Sequence, residues 1–143
     1  MGLSTQIAYG TAFLSLCSGI HLVLILGTNG WLRLIGKAQK ERYRHHRAGI
    51  IVTVALLVVV IGHTVQVWIW ALSFLWLGAL EGLEPAIYFA LSTYTTLGYG
   101  DLVLSDDVRV FAAFASVNGM LIFGVSTAYL VTVIGRVLPD QLP

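Results

Sequence analysis

Residues Thr95 to Asp101 read Thr-Thr-Leu-Gly-Tyr-Gly-Asp and lie between two long apolar stretches. Glycines at alternate positions, Gly98 and Gly100, admit backbone conformations closed to other L-residues, so successive carbonyls can face one axis. The preceding segment, Pro85 to Thr95 (Pro-Ala-Ile-Tyr-Phe-Ala-Leu-Ser-Thr-Tyr-Thr), is too short to cross a bilayer, which takes about 20 residues. Pro85 suits the first position of a helix, and Glu84 suits the positive end of its dipole. A short helix followed at once by irregular backbone is tolerated at membrane depth only where protein or water surrounds it. The stretch therefore predicts a re-entrant segment, a half-helix that stops part-way and an irregular return.

The rest of the chain agrees with a membrane setting. Its 143 residues are 57% hydrophobic and 10% charged, with a mean hydropathy of +0.85, whereas a soluble domain carries about a quarter charged residues. Three apolar stretches are long enough to span, from about Ile7 to Leu26, Ala48 to Leu77 and Val108 to Leu138. Between the first two lie Arg33, Lys37, Lys40, Arg42, Arg44 and Arg47, six of the eight basic residues. Between the second and third, Gly78 to Asp107 holds Glu81, Glu84, Asp101, Asp106 and Asp107 and no Lys or Arg. The positive-inside rule puts the first connection in the cytoplasm and the second outside. The N-terminus is then outside and the C-terminus inside, with Arg136 at the inner end of the last span. Arg109, at the outer end, is placed to reach headgroups or a neighbouring carboxylate.

Several classes fall away. Met1 to Gln6 has no basic residue, which argues against a secretory leader, and Gln6 stands where a myristoylation signal needs Ser or Thr. Leu14-Ser15-Leu16-Cys17 is a poor lipoprotein cleavage site, because bulky Leu16 precedes the cysteine; an uncleaved first span is the better reading. The single cysteine, Cys17, permits no intrachain disulfide. There is no nucleophile–base pair, no metal-ligand spacing, no phosphate loop and no nucleic-acid motif, so the chain is expected not to be an enzyme. A bare Gly-x-Gly would be compatible with a turn. The double threonine, the aspartate, the preceding short helix and the outer location together argue for more.

Thr96-Leu97-Gly98-Tyr99-Gly100 differs by one apolar side chain from the Thr-Val-Gly-Tyr-Gly loops of potassium filters. On these residues the chain resembles the potassium channel pore family over about Ala48 to Leu138. The resemblance implies an all-α membrane protein assembled as a four-fold homotetramer. Each chain would supply three transmembrane helices, a pore helix and a filter. The expected division is 1–47, a transmembrane helix and basic juxtamembrane loop, and 48–143, a pore domain of outer helix, pore helix, filter and inner helix. It implies K+ held by the carbonyls of Thr96, Leu97, Gly98 and Tyr99 and by the Thr96 hydroxyl. No cofactor is expected, K+ being the permeant ion. The expected location is a cell membrane, that of bacteria in particular.

Residues expected to support the filter are Tyr88, Ser92, Thr95 and Asp101. Leu97 and Tyr99 should point away from the ions onto the short helix, with Tyr88, Phe89 and Tyr94 as packing partners. Leu97 replaces the usual valine, which alters packing behind the filter and not its oxygen atoms. Ser92 stands where many bacterial relatives carry an acid, so Asp101 is expected to turn to Tyr88. Ser105 or Asp106 is expected to cap the third span. Along that span the resemblance assigns Gly119 to a gating hinge and Met120, Phe123 and Thr127 to a water-filled cavity. Val131, Ile134 and Gly135 fall near an inner constriction. For Gly119, close helix packing is the other reading; for Gly124, packing is preferred.

The first span is additional to the minimal two-span pore. It has no Arg or Lys and so is no voltage sensor. His21 in it and His63 in the second span are intramembrane ionisable groups, each expected as a neutral imidazole bonded to a neighbouring helix. Trp31 to Arg44 mixes apolar and basic residues in the manner of an interfacial helix. The collar of Arg33, Lys37, Lys40, Arg42, Arg44 and Arg47 would face anionic lipid as a topology anchor, or couple lipid charge, or pH through His45 and His46, to opening. Two rivals to a selective channel remain, a weakly selective cation channel and a non-conducting modulatory subunit of a larger channel or transporter.

Overall fold

A computed structural model describes residues 1–37 and 44–137, leaving aside the side chains of Asn29, 31–37 and 44–47. Its elements are four helices, α1 (Leu3–Lys37), α2 (Arg44–Trp76), α3 (Leu83–Tyr94) and α4 (Arg109–Val137), with no strand among the described residues. Three are long and apolar enough to cross a membrane, over Leu3–Thr28, Ala48–Trp76 and Arg109–Val137. These match the three stretches read from hydropathy.

Two apolar clusters fix how the helices lie. Phe13 and Cys17 of α1, Trp70 and Phe74 of α2, Ala86 and Ala90 of α3, and Phe111 and Ala115 of α4 form one. Within it Phe13 meets Phe111 edge-on at 5.4 Å between centroids, and Trp70 lies 5.3 Å from Phe111. Ile25, Ile51, Ala55, Val59, Tyr129 and Val133 form the other. Residues early in α1 and α4 thus meet residues late in α2, and the reverse holds at the far cluster. Helices α1 and α4 run parallel to each other and antiparallel to α2.

The first span is a packed part of the fold, lying against both α4 and α2. Its inward face, Gln6, Gly10, Cys17, His21 and Ile25, recurs every three to four residues or a multiple of that, the period of one helical face. Small or polar residues face inward because lipid solvates Leu and Val as well as protein does. Gly10 leaves room for the Phe114 ring, and at Gly62 of α2 a Cβ would come within 2.8 Å of His21 Nδ1.

Two expectations need correction here. Trp31 to Lys37 continues α1 without a break rather than forming a separate interfacial helix. One glycine at position 30 costs a helix only about 1 kcal/mol, too little to end it. Arg33 and Lys37 therefore lie on the last turns of α1, and Arg44 and Arg47 on the first turns of α2; Lys40 and Arg42 lie outside the described residues. Helix α3 begins at Leu83, two residues before the expected start, so Pro85 is its third residue. Its missing N–H is still harmless, since the first four amides of a helix have no partner within it.

Neither Ser105 nor Asp106 caps α4 with its side chain. The carbonyl of Ser105 accepts from Val108 N and Arg109 N at 3.1 Å each. Asp106 pairs instead with Arg109 at 2.8 Å, an exposed contact worth little. The side-chain cap comes from another helix. Gln6 of α1, 3% exposed, accepts from Val110 N at 3.0 Å and Phe111 N at 3.3 Å through Oε1. Its Nε2 donates to the Asp106 carbonyl at 3.0 Å. The first span thereby holds the start of the last one.

Candidate functional site

Helix α3 ends at Tyr94, and the chain turns back on it at once. Leu91 O accepts from Thr95 N at 3.0 Å and Thr93 O from Thr96 N at 3.0 Å. Ser92 O takes both Leu97 N, at 2.9 Å, and Gly98 N, at 3.2 Å. Thr95 Oγ1 donates to Leu91 O at 2.8 Å, and Ser116 Oγ of α4 donates to Thr93 O at 2.8 Å. The carbonyls of Leu91, Ser92 and Thr93 at the helix end are thus satisfied, and the following segment is anchored by its first amides. Ser92 contributes through its carbonyl as well as by its position in the sequence.

Beyond this anchor the backbone alternates. Positive φ occurs at Thr96 (60°), Gly98 (52°) and Gly100 (80°), that is, at every second residue. Alternation of hand turns successive peptide planes to one side, which is how a short strand can present a row of carbonyls. Thr96 is the one non-glycine residue with positive φ among those described, a conformation that is uncommon outside glycine. A Cβ at Gly98 or Gly100 would meet nothing within 4 Å, so these glycines answer to backbone conformation and not to space.

The side chains between them are uncovered in a single chain. Leu97 is 56% and Tyr99 71% exposed. Of the three aromatics expected behind Leu97 and Tyr99, two are turned elsewhere. Tyr94 and Phe89 face the opposite way, into the subunit. Phe89 meets Phe74 edge-on at 5.2 Å, and Tyr94 is buried with its hydroxyl 2.8 Å from His63 Nδ1 and 3.3 Å from Gln66 Oε1. An α-helix sends residues six apart to different faces, so Tyr88 and Tyr94 cannot both back the same segment.

Tyr88 is on the segment's side. Its hydroxyl donates to Asp101 Oδ2 at 2.7 Å. That bond holds the Asp101 carboxyl below the usual carboxylate range and pushes the Tyr88 phenol up. The clamp joins the second turn of α3 to the end of the Thr95–Asp101 segment, while Ser92 O holds its beginning. Among the described residues no three His, Cys, Asp or Glu side chains converge to hold a metal ion.

On α4, Gly119 is buried against the last residue of α3. A Cβ at 119 would overlap the Tyr94 carbonyl oxygen. Close approach is therefore an observed role of this glycine. Gly124 meets nothing within the chain, so the packing expected of it is not made by its own subunit. Met120, Gly124, Thr127 and Val131 form an uncovered stripe at helical spacing. Phe123 is half in and half out: it stacks on His63 with centroids 4.4 Å apart and an interplanar angle of 23°. Thr127 Oγ1 donates to Phe123 O at 2.9 Å.

Sequence reading missed four polar residues that the fold brings inside, Gln6, Gln66, Asn118 and Ser126, all buried. The signal was available. A Gln or Asn within an apolar span is costly against lipid, so it turns inward to a partner.

A re-entrant half-helix, a segment of alternating backbone hand and two flanking spans are the parts of an ion-channel domain, and a family model described as ion channel matches residues 53–136. The chain belongs to that ion channel family. It is also similar to the voltage-gated potassium channel Kch of Escherichia coli (strain K12), with 38% identity over 48 residues. The match takes in 33% of this chain and 12% of that protein's length. No solved structure matches the chain.

Proposed function

We propose that this protein is a potassium-selective channel in which four copies surround one pore and K+ moves passively down its electrochemical gradient. The observation that carries the reading is the alternation of positive φ at Thr96, Gly98 and Gly100. With it, the carbonyls of Thr96, Leu97, Gly98 and Tyr99 and the Thr96 hydroxyl would replace the hydration shell of the ion. One chain supplies one such segment and a ring needs several, which is the argument for assembly. The uncovered Leu97 and Tyr99, and the uncovered stripe from Met120 to Val131, are surfaces that neighbouring subunits and a water-filled cavity would cover. A pore helix and an inner helix from each subunit would then surround the ions.

The charge asymmetry supports an N-terminus outside, with the collar and the C-terminus inside; the membrane we propose is that of a bacterial cell. Residues 48–143 would act as the pore domain, and 1–47 as an added helix and basic collar facing anionic headgroups. Leu97 would leave the oxygen ladder unchanged, since its carbonyl and not its side chain meets the ion.

The test is flux into liposomes that contain only the purified protein. K+ should enter, Na+ should enter far less, and barium should block. Equal K+ and Na+ permeability would replace this reading by a weakly selective cation channel. No flux from correctly folded protein would replace it by a non-conducting subunit.

A further inference from the structure

Between the two apolar clusters, five side chains from all four helices close a ring of hydrogen bonds. Gln66 Nε2 lies 2.9 Å from His21 Nδ1, and His21 Nε2 lies 2.9 Å from Ser126 Oγ. Ser126 Oγ lies 3.2 Å from His63 Nε2, and His63 Nδ1 lies 2.8 Å from Tyr94 Oη. Tyr94 Oη returns to Gln66 Oε1 at 3.3 Å.

The direction of the ring follows from one further contact. Asn118 Nδ2 donates to Gln66 Oε1 at 2.7 Å, so Gln66 turns its oxygen to Asn118 and Tyr94 and its N–H to His21. His21 Nδ1 must then accept, and its proton is on Nε2, donated to Ser126. Ser126 gives its hydroxyl proton to His63 Nε2. His63 carries its proton on Nδ1 and donates it to Tyr94, whose hydroxyl donates to Gln66. Every member gives one bond and takes one around the ring, and both imidazoles are neutral. The two histidines are opposite tautomers.

Three places depend on this ring. Tyr94 is the residue before Thr95 and Thr96, at the base of the alternating segment. Ser126 is about two turns beyond Gly119 on α4. His21 is on the first span, and Gln66 and Ser126 are its two bonded neighbours. We infer that the ring couples α1 and the inner half of α4 to the base of the filter, with His21 and Ser126 as positioning residues for ion passage. The inference rests on the channel reading above. Movement of α4 away from α1 and α2 takes the Ser126 hydroxyl with it. Both histidines then lose their Nε2 partner in a medium that offers no water in exchange. The ring is closed or open with little between, the kind of two-state element that lets distant places share an equilibrium.

The experiment combines flux with histidine spectroscopy on the full-length protein in vesicles. Nitrogen chemical shifts of labelled histidines should show His21 protonated on Nε2 and His63 on Nδ1. Ser126→Ala and Tyr94→Phe, each losing one hydroxyl, should change K+ flux by about 3- to 30-fold, the span of couplings carried by buried networks. The double variant should go no further than the larger single effect, because one missing bond already opens the ring. Ser126→Thr, which keeps the hydroxyl, should restore wild-type flux and the His63 signal. Melting temperatures identify any variant that fails to fold, and the tautomers of the wild type test the ring without any variant. Like tautomers, unaltered flux in folded Ser126→Ala, or singles that multiply independently would overturn the inference while wild-type flux stands. A wild type that passes no K+ would overturn the channel reading and this inference with it.

Discussion

Replacing Gly119 by alanine separates two roles by the sign of one measurement. If Gly119 served only as a flexible point in α4, alanine would stabilise the helix by about 1 kcal/mol through backbone entropy. The structure demands the opposite. The new Cβ would fall on the Tyr94 carbonyl oxygen and 3.4 Å from Tyr94 Cγ. That obstacle is backbone, and the tyrosine that carries it is held by bonds to His63 and Gln66, so no side-chain rotation relieves it. Restoring an ordinary contact needs α3 and α4 to part by about 1.5 Å. Overpacking of this kind costs about 1–3 kcal/mol, which leaves a net loss of up to about 2 kcal/mol after the helix gain. The displacement begins one residue before Thr95, so K+ flux and the preference over Na+ should fall with stability. Chemical unfolding in detergent, followed by tryptophan fluorescence, gives the first number and liposome flux the second. A variant at least as stable as the wild type, with unchanged selectivity, would refute the claim that α3 is seated on this glycine.

Gly98→Ala should abolish K+ flux through conformation alone, because φ there is 52° with no atom near, and a left-handed L-residue costs about 1–2 kcal/mol. Gly27→Ala, in equally open space but within the regular helix α1, should fold normally and serve as the matched control. Gln6→Leu should leave two amides of α4, one buried and one part-buried, without their acceptor and lower unfolding stability by about 2 kcal/mol, measured by the same denaturant titration. Asp101 gives a pH dependence of definite sign. Its folded pKa is depressed by Tyr88, so its contribution is complete above the ordinary carboxylate range and is lost as pH falls through the depressed value. Flux against outside pH should therefore hold through the usual carboxylate range and decline below it. In Tyr88→Phe the decline should move to higher pH, and an unmoved curve would mean that the clamp does not serve the filter.

Local pattern alone was enough for the spans and the re-entrant segment, and the resemblance to the channel family pointed Asp101 to Tyr88. Each depends on composition or on groups close in the chain. Hydropathy over 20 residues registers the cost of exposing polar backbone to lipid, and alternating glycines register a conformation that other residues resist. What Tyr94 and Phe89 face was not legible, because both faces of an amphipathic half-helix carry aromatics and only the neighbours decide which face is inward. Nor was the start of α3, since a helix can begin a turn-half earlier without a capping side chain when its first amides are solvated.

The sequence by itself determined that this chain lies in a membrane, which three stretches are long and apolar enough to cross it, and where a short helix gives way to irregular backbone. Those features follow from solvation and local sterics, which act on each residue where it stands. Only the tertiary structure decided that the first helix packs with the others, that Gln6 caps α4, and that Gly119 receives the end of α3. It alone closed His21, Gln66, Tyr94, His63 and Ser126 into one ring. Hydrogen bonds between residues 28 to 105 positions apart leave no periodic trace; they exist because close-packed helices bring polar groups together where lipid offers them no other partner.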